Sequence, residues 1–341
     1  MQSELNTATE GPTLAIGLAA SPSDRRPQLH EQSRLMAKIA RMYHERGMRQ
    51  AEIAAELHVS QPRVSRLLKK AAEVGIVRTT VSEPPGVYTE LEQRLEATYG
   101  LSEAVVVDSS GHTDELRALG TAAAVYLETT LTGGESIGIS SWSASLLATV
   151  DALRPFTTRV VTEVVQLVGG IGEPRVQADA TRLLTQLAAA TGAESIFLSA
   201  PGLLGSVQAR ESLMGDPTVT QVSTRWPNLS MALVGIGALE PSPLLRRSGN
   251  SIAEADQEAL RQAGAVGDVC LRFFNESGEP VTRELDERVI GIDPDVLRSI
   301  PRRVAVAGGE RKTAAIRGAL RGGWANVVIT DVNTARSILE E

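Results

Sequence analysis

The residues from Gly308 to Lys312 have the types and the spacing of an anion-binding site. An apolar run ends at Ala307, two glycines follow, and a predicted helix starts beside Lys312. Free backbone N–H groups and the helix dipole attract an anion at such a corner, and the lysine ammonium adds a full charge. A merely solvated lysine is the alternative, but the helix dipole opposes a cation there. We therefore predict that Gly308, Gly309 and Lys312 bind an anionic group.

A second candidate segment offers hydroxyl groups between an apolar run and another predicted helix start. It consists of Ser140, Ser141, Trp142 and Ser143. Small hydroxyl residues at such a junction can present hydroxyls and backbone N–H groups to a phosphate or a sugar. Ser141 or Ser143 could instead only cap the helix. The sequence weighs these two interpretations about equally.

A third segment combines a buried amide with two glycines. Gln166 lies inside an apolar run, and Gly169 and Gly170 follow that run. A buried amide needs hydrogen-bond partners, and a ligand hydroxyl could be one of them. The glycines could simply permit a positive φ at a corner of the chain.

A fourth segment places a carboxylate between a glycine-rich turn and an apolar strand. Asp268 follows Gly267, and the apolar residues after it end before Asn275. A carboxylate there is either a turn residue or a hydrogen-bond acceptor for sugar hydroxyls. We favour the acceptor role for Asp268, and we include Asn275 among the candidate binding residues.

The elements that must position these segments follow an alternating α/β pattern. Near-continuous apolar runs alternating with helical stretches indicate a buried, mostly parallel sheet. The predicted fold class is α/β, with a doubly wound, Rossmann-like domain over residues 89–341. Ligands bind beyond the carboxyl ends of the strands in such sheets. The predicted strands are Ala104–Val107, Ser136–Ile139, Val160–Val168, Ser195–Leu198, Met231–Ile236, Val289–Ile292, Val304–Ala307 and Val327–Thr330.

A helix-turn-helix is predicted between Met48 and Ala71. Apolar residues recur at helical spacing in two short segments separated by only a few residues. Ser60 is a suitable N-cap, and Pro62 falls in the first turn of the second helix, where its missing N–H costs little. Two helices joined this tightly cross steeply, so that the second can enter a DNA major groove.

The charge of this region also favours DNA binding. Ten basic and four acidic residues lie between Arg34 and Arg78, a net charge of +6, whereas the whole chain carries −7. A basic end on an acidic chain suggests contact with nucleic acid. The alternative is a basic helical hairpin used for packing or oligomerisation. The predicted DNA-binding residues are Arg49, Gln50, Ser60, Gln61, Pro62, Arg63, Ser65, Arg66 and Lys69.

The domain boundaries follow from composition. Residues 1–29 are rich in Ser, Thr, Pro and Gly and predict a flexible tail. Residues 30–82 form the DNA-binding domain, in which Ile76–Val81 is predicted as a short strand of the kind that forms a wing. Two prolines and a glycine mark residues 83–88 as a linker.

Composition excludes several functional classes. The chain has 341 residues, one cysteine and only four histidines. No apolar run reaches membrane-spanning length and no signal peptide is evident, so we expect a cytoplasmic protein with no membrane partner. We expect no metal site, because the histidines have no ligand spacing. The chain has no P-loop and no GxSxG nucleophile elbow, and we predict no cofactor and no catalytic residue.

Taken together, these segments resemble the SorC family of sugar-binding transcriptional regulators. The similarity covers about Arg34 to the C-terminus, and the order and spacing of the segments together are specific. The resemblance rests on Gln50–Ala54, Val59–Leu68, Gly138–Ser140, Gln166–Gly170, Gly267–Val269, Phe273–Gly278 and Ala307–Lys312.

The resemblance implies an effector domain with the fold of glucosamine-phosphate deaminases and ribose-phosphate isomerases. It implies a sugar, polyol or sugar-phosphate effector, and dimers or tetramers on palindromic operator DNA. It also implies that Ser140–Ser143, the Gln166 strand, Asp268 and Lys312 line the effector pocket. Ser141-Trp142 stands where many relatives carry a Gly-Thr-rich or Trp-Gly phosphate loop, so whether the effector is phosphorylated stays open.

The hypothesis is therefore a regulator whose affinity for operator DNA is controlled by a small carbohydrate effector. The main alternative is a sugar-phosphate isomerase or deaminase with a regulatory N-terminal domain. Against it, the strand-end residues include no paired carboxylates and no histidine. A third possibility is a DNA-associated scaffold without an effector.

Overall fold

In a computed structural model, the chain divides between Ser82 and Glu83 into two units. The structure describes residues 22–78, 84, 86–109, 112–240, 246, 252–281 and 283–340. Each unit is considered by itself.

Three helices build the first unit: α1 (Pro22–His44), α2 (Gln50–Glu56) and α3 (Gln61–Glu73). Their apolar stripes meet in one cluster that includes Ile39, Ile53 and Val64, each fully buried. The turn between α2 and α3 passes through His58 at φ 53°, in the left-handed region. The two helices are therefore joined by a short turn, as the sequence predicts for a helix-turn-helix.

The first unit differs from the sequence prediction at both ends. Helix α1 begins at Pro22, so the predicted flexible tail is wrong for residues 22–29, and residues 1–21 lie outside the described part. Extending an existing helix is cheap, so a helix can continue past its apolar stripe. The predicted wing strand is absent from residues 76–78, because the backbone N–H groups of Ile76 and Val77 bond back to Ala71 O. Its remaining residues, 79–81, are outside the described part.

A seven-stranded parallel sheet forms the centre of the second unit. Its strand order is β1-β10-β9-β5-β2-β3-β4, and every neighbouring pair is parallel. Strands β6, β7 and β8 form a separate antiparallel sheet. The strands are β1 (Glu103–Val107), β2 (Glu135–Ile139), β3 (Val161–Gln166), β4 (Glu194–Ile196), β5 (Met231–Val234), β6 (Gly237–Ala238), β7 (Gly267–Val269), β8 (Arg272–Phe274), β9 (Arg302–Val306) and β10 (Val327–Asp331).

Helices cover both faces of this sheet. Successive strand residues enter opposite apolar clusters: Val164 belongs to one and Val165 to the other. Such a sheet has no solvated face, which explains its continuous apolar strands. The helices are α4 (Thr89–Tyr99), α5 (His112–Thr130), α6 (Ala144–Ala152), α7 (Pro174–Thr191), α8 (Val207–Met214), α9 (Pro217–Ser223), α10 (Glu254–Gln262), α11 (Arg283–Asp286), α12 (Pro294–Ser299), α13 (Thr313–Arg321) and α14 (Val332–Leu339).

The strand order reverses beside β2, which creates a crevice. From β2 the chain runs outward through β3 to β4, then returns to β5 on the other side of β2 and continues to β9 and β10. The loops that follow β2 and β5 therefore diverge at the carboxyl edge of the sheet. Ligands bind at this topological switch point in doubly wound folds.

One predicted strand is not a strand in the structure. Val289–Ile292 pairs only through isolated antiparallel bridges, Val289 with Leu203 and Gly291 with Val168. The buried guanidinium of Arg272 donates to the carbonyl oxygens of Gly291 and Ile292 at 3.2 and 3.1 Å. A side chain therefore satisfies the acceptors that a neighbouring strand would otherwise have paired.

Helix α4 covers the exposed edge of the sheet at β1. Glu96 Oε1 accepts a hydrogen bond from Ala104 N at 3.0 Å, and Glu92 Oε1 accepts one from Val106 N at 2.9 Å. These carboxylates satisfy the N–H groups that an edge strand leaves unpaired. The helix that follows the segment 83–88 is thus fixed to the strand layer.

Candidate functional site

The predicted DNA-binding residues lie together in the first unit, on α3 and on the segments that lead into α2 and α3. On α3 the apolar side chains Val64, Leu67 and Ala71 are buried. The polar side chains between them point outward, so α3 has one packed face and one basic face. Of the nine predicted residues, Gln50 is half-buried, and the exposed ones are Arg49, Ser60, Gln61, Pro62, Arg63, Ser65, Arg66 and Lys69.

Two details of the α3 N-terminus refine the prediction. Ser60 occupies the N-cap position, but its hydroxyl makes no capping hydrogen bond, and Pro62 stands in the first turn. The Ser60 hydroxyl is therefore not consumed by the helix and remains exposed. Arg66 Nε donates to the Pro62 carbonyl at 3.3 Å, which orders the arginine along the exposed face.

In the second unit, the loop after β2 is tied to the loop after β5. Ser140 Oγ accepts a hydrogen bond from Gly235 N at 3.2 Å. Ser143 Oγ accepts one from Leu146 N at 3.3 Å and so caps α6. The capping alternative therefore holds for Ser143, whose hydroxyl is occupied by the helix. Ser140, Ser141 and Trp142 are buried at the crevice.

Gln166 finds its partners within the protein rather than in a ligand. Its Nε2 donates to Ser141 Oγ at 2.9 Å, and its Oε1 accepts from Leu198 N at 2.9 Å. Ser141 Oγ in turn donates to Val168 O at 3.1 Å. The amide therefore positions the loop after β2, and both of its polar atoms have protein partners without the ligand hydroxyl that the sequence suggested as one possible partner.

Gly169 and Gly170 are required by close packing and not by a positive φ, since neither has one. A Cβ at Gly170 would lie 2.3 Å from Gln166 Nε2, and one at Gly169 would lie 2.3 Å from Pro201 O. The two glycines let the loop after β3 close over the Gln166 amide. The alternative of a positive φ at these two glycines is therefore wrong, and their role in binding stays a prediction.

Asp268 belongs to β7, and the apolar run after it is a hairpin rather than one strand. Strands β7 and β8 are joined by Cys270 and Leu271, both with positive φ (54° and 63°). Asp268 pairs in register with Gly237, and its Oδ2 accepts from Leu271 N at 3.0 Å. The carboxylate therefore holds the hairpin turn, and its other oxygen is not used in that contact.

The charges of Asp268 and Lys312 act on one another. Burial raises the pKa of Asp268 to about 6, and the Leu271 N–H and the Lys312 charge oppose this rise. Burial lowers the pKa of Lys312, and the charges of Asp268 and Glu115 oppose that fall. Helix α13, which Lys312 precedes, packs on β7 and so brings the ammonium towards the carboxylate. A cation and a buried acceptor at one strand edge suit a polyhydroxylated or anionic molecule.

Asp331 is a site residue that sequence reasoning missed. Gly309 N donates to Asp331 Oδ2 at 2.9 Å and to Thr334 Oγ1 at 2.8 Å, so Asp331 holds the glycine loop in place. One of the N–H groups expected to be free for an anion is therefore engaged, and Lys312 N also donates to Gly309 O. Asp331 directly follows the predicted strand Val327–Thr330, and Asp is a preferred N-cap residue, which is a signal that could have identified it.

Asn275 does not join the other candidate residues. Its Oδ1 accepts hydrogen bonds from Ser277 N and Glu279 N, both at 3.0 Å, and its Nδ2 donates to Glu279 Oε2 at 3.1 Å. Both polar ends of its amide are used inside its own turn. The prediction of a binding role for Asn275 is replaced by a turn-forming role.

Across the described ranges, no group of three or more His, Cys, Asp or Glu side chains could hold a metal ion. In the same part of the chain, no helix combines the length and apolar character needed to cross a bilayer.

Both units match known protein families. Residues 84–340 match the Sugar-bind family model of a sugar-binding domain, and residues 23–75 match a helix-turn-helix model. The chain is 33% identical over 316 residues to the deoxyribonucleoside regulator of Bacillus subtilis (strain 168), covering 91% of this chain and 99% of that protein. It is 33% identical over 313 residues to the sorbitol operon regulator of Klebsiella pneumoniae, covering 90% and 98%.

A solved structure of one of these relatives has a fold similar to that of this chain. The crystal structure of the full-length sorbitol operon regulator SorC from Klebsiella pneumoniae matches with a TM-score of 0.70 at 31% sequence identity. The match covers 91% of this chain and 100% of that chain.

The buried carboxyl of Asp268 makes a testable contribution to pH-dependent stability. Because burial raises its pKa to about 6 from 3.8, the folded chain retains a proton that the unfolded chain releases. The retained proton therefore stabilises the folded chain at low pH, and this stabilisation is lost as the pH rises from about 4 to about 6. We predict that Asp268→Asn is more stable than wild type by about 1–3 kcal/mol at pH 7.5 and hardly different at pH 4.

The measurement is urea denaturation across this pH range, followed by tryptophan fluorescence, since all three tryptophans lie in the second unit. Asp286, whose pKa burial also raises to about 6, keeps part of the pH dependence in the variant. The control is Asp295→Asn, whose side chain is 93% exposed. If both variants changed the free energy of unfolding equally at pH 7.5, the charged form of Asp268 would not destabilise the folded chain.

Proposed function

Because this chain belongs to the SorC family of sugar-binding transcriptional regulators, we propose that it binds operator DNA through α3 and a carbohydrate effector at the strand ends of its second unit. It is a transcriptional regulator with a helix-turn-helix domain and a sugar-binding domain. The relatives described above are named regulators, so the alternative of a sugar-phosphate isomerase or deaminase is not supported.

The exposed basic face of α3 supports the DNA-binding role. Gln61, Arg63 and Arg66 stand outward at the start of the helix, where a recognition helix contacts base edges. Arginine and glutamine can make paired hydrogen bonds to guanine and adenine, and Lys69 suits a phosphate. Since helix-turn-helix proteins commonly bind palindromic sites as dimers, we propose a homo-oligomer, a dimer or tetramer, acting in the cytoplasm.

The electrostatic interaction between Lys312 and Asp268 supports the effector-binding role. Lys312 can donate to a hydroxyl or a phosphate, and Asp268 can accept from a hydroxyl. Ser140, Ser141 and Trp142 follow β2 at the switch point, and the Gly308–Gly309 loop follows β9 in the same sheet. We propose that the effector is a sugar, a polyol or a sugar phosphate that binds here and changes the affinity for operator DNA.

For the DNA-binding role, the test is the double variant Arg63→Ala, Arg66→Ala. Each bidentate base contact contributes about 1–3 kcal/mol, so we expect the double variant to lose most specific binding. The probe is a duplex that the wild-type chain enriches from a random-sequence pool, and binding is followed by fluorescence anisotropy at fixed salt.

A control variant, Arg154→Ala, Arg321→Ala, removes the same charge from exposed sites of the second unit. The affinity of this control variant for the duplex should remain within about twofold of wild type, because the non-specific electrostatic attraction to DNA changes little. Unchanged binding by the Arg63, Arg66 variant would place the recognition surface elsewhere.

The effector role is tested with Lys312→Ala and a defined probe panel. The panel contains D-sorbitol, D-sorbitol 6-phosphate, 2-deoxy-D-ribose, 2-deoxy-D-ribose 5-phosphate and D-ribose 5-phosphate. We expect at least one member to raise the melting temperature of the wild-type chain, because a ligand bound only to the folded state stabilises it. Lys312→Ala should lose most of that increase, since a charged hydrogen-bond donor is removed.

Arg311→Ala is the matched control, because Arg311 is the neighbouring cation but is exposed and paired with Glu240. It should keep the wild-type increase in melting temperature. An equal increase in Lys312→Ala and wild type would contradict the placement of the effector at Lys312.

A further inference from the structure

Trp142 holds a buried hydrogen-bond donor that none of the described residues accepts. The other two tryptophans are satisfied: Trp226 Nε1 donates to Gln166 O at 3.0 Å, and Trp324 Nε1 donates to Gly278 O at 2.8 Å. Trp142 is only 9% exposed, and its Nε1 is buried without a partner in the described part of the chain. A buried donor without an acceptor costs about 1–3 kcal/mol, and native proteins rarely contain one.

The backbone that presents this side chain is strained. Trp142 has φ 46°, in the left-handed region that a bulky residue seldom adopts. Among the described residues only four non-glycine positions have a positive φ, and Trp142, Cys270 and Leu271 are three of them. Cys270 and Leu271 are the two turn residues of a tight hairpin, where a positive φ is ordinary, so Trp142 is the one of these three without that explanation. Backbone strain of this kind persists mainly where function needs the resulting geometry.

The position of the indole ring is fixed by its neighbours. A Cβ at Gly202 would lie 2.8 Å from Trp142 Cη2 and 3.1 Å from Leu271 Cδ1, so both side chains meet over this glycine. Leu271 N is in turn bonded to Asp268 Oδ2. The outer edge of the indole thus packs against the hairpin that Asp268 holds.

Of the indole atoms, Cη2 is the one that comes closest to Gly202, so the N–H is not the group that meets this glycine. Cη2 belongs to the six-membered ring, whereas Nε1 belongs to the five-membered ring, nearer the backbone of Trp142 itself. That backbone stands between Ser141 and the N-cap of α6, at the switch point beside β2. The unsatisfied donor is therefore held at the crevice where the effector is proposed to bind.

We propose that Trp142 Nε1 donates a hydrogen bond to an oxygen of the carbohydrate effector and thereby selects effectors that carry an acceptor at this point. This proposal rests on the proposed function of the site. The acceptor is a hydroxyl, carbonyl or phosphate oxygen. A buried donor that requires an acceptor discriminates strongly against analogues that lack one, because the donor is then left unpaired.

The decisive variant is Trp142→Phe, which removes the N–H and keeps an aromatic ring, with Trp324→Phe as the matched control. Each chain is titrated calorimetrically with the probe panel defined above. For any probe that binds wild type, we expect Trp142→Phe to weaken binding roughly three- to tenfold and Trp324→Phe to leave it unchanged.

A measurement without any probe tests the unsatisfied donor itself. Both variants lose ring volume in a packed position, but only Trp324→Phe also loses a hydrogen bond, so Trp142→Phe should lower the melting temperature less than Trp324→Phe does. A comparable fall in both variants would show that Trp142 Nε1 already has a partner and would overturn the proposal.

The titrations separate this proposal from the proposed function. If a probe binds wild type and Trp142→Phe with equal affinity, the effector site stands and the donor role of Trp142 is wrong. If no probe binds wild type, the proposed carbohydrate effector is itself contradicted, and the role of Trp142 with it.

Discussion

The buried carboxylate of Asp331 is the contact on which the shape of the candidate effector site depends. It is 2% exposed and accepts hydrogen bonds from Gly309 N, from the backbone N–H groups of Asn333 and Thr334, and from the Thr334 hydroxyl. A charge buried this deeply is stable only when hydrogen bonds satisfy it. One side chain therefore ends β10, starts α14 and fixes the loop that leads to Lys312.

From Asp331, two packed routes lead to α4. In the first, β10 pairs with β1 so that Asp331 stands opposite Val107, and α4 binds β1 through Glu92 and Glu96. In the second, α14 extends from Asp331 to α4, where the Tyr99 hydroxyl donates to Ile338 O at 2.5 Å. Helix α4 is the first helix of the second unit, and both routes connect it to the candidate effector site.

The sequence predicted those parts of the structure that depend on local patterning. Apolar spacing identified α2 and α3, and continuous apolar runs identified most strands, because a sheet covered on both faces needs such runs. The sequence also singled out Asp268 and Lys312, whose charges interact in the structure, and their role in binding an effector stays a prediction. The predictions failed where a side chain hydrogen-bonds a backbone group that is distant in sequence, because local patterning does not reveal such contacts. Arg272 satisfies the carbonyls of Gly291 and Ile292, Gln166 binds Leu198 N, and Asp331 takes up Gly309 N.

The proposed function requires that binding of a small molecule at the strand ends and binding of DNA at α3 are energetically coupled. Thermodynamic linkage makes this directly measurable, because each ligand must change the affinity of the other by the same factor. The measurement is a pair of titrations: the enriched duplex with and without a saturating panel probe, and the same probe with and without saturating duplex. We expect equal ratios in the two titrations, roughly 5- to 150-fold. Ratios of one in both, with probe and duplex each bound, would contradict it.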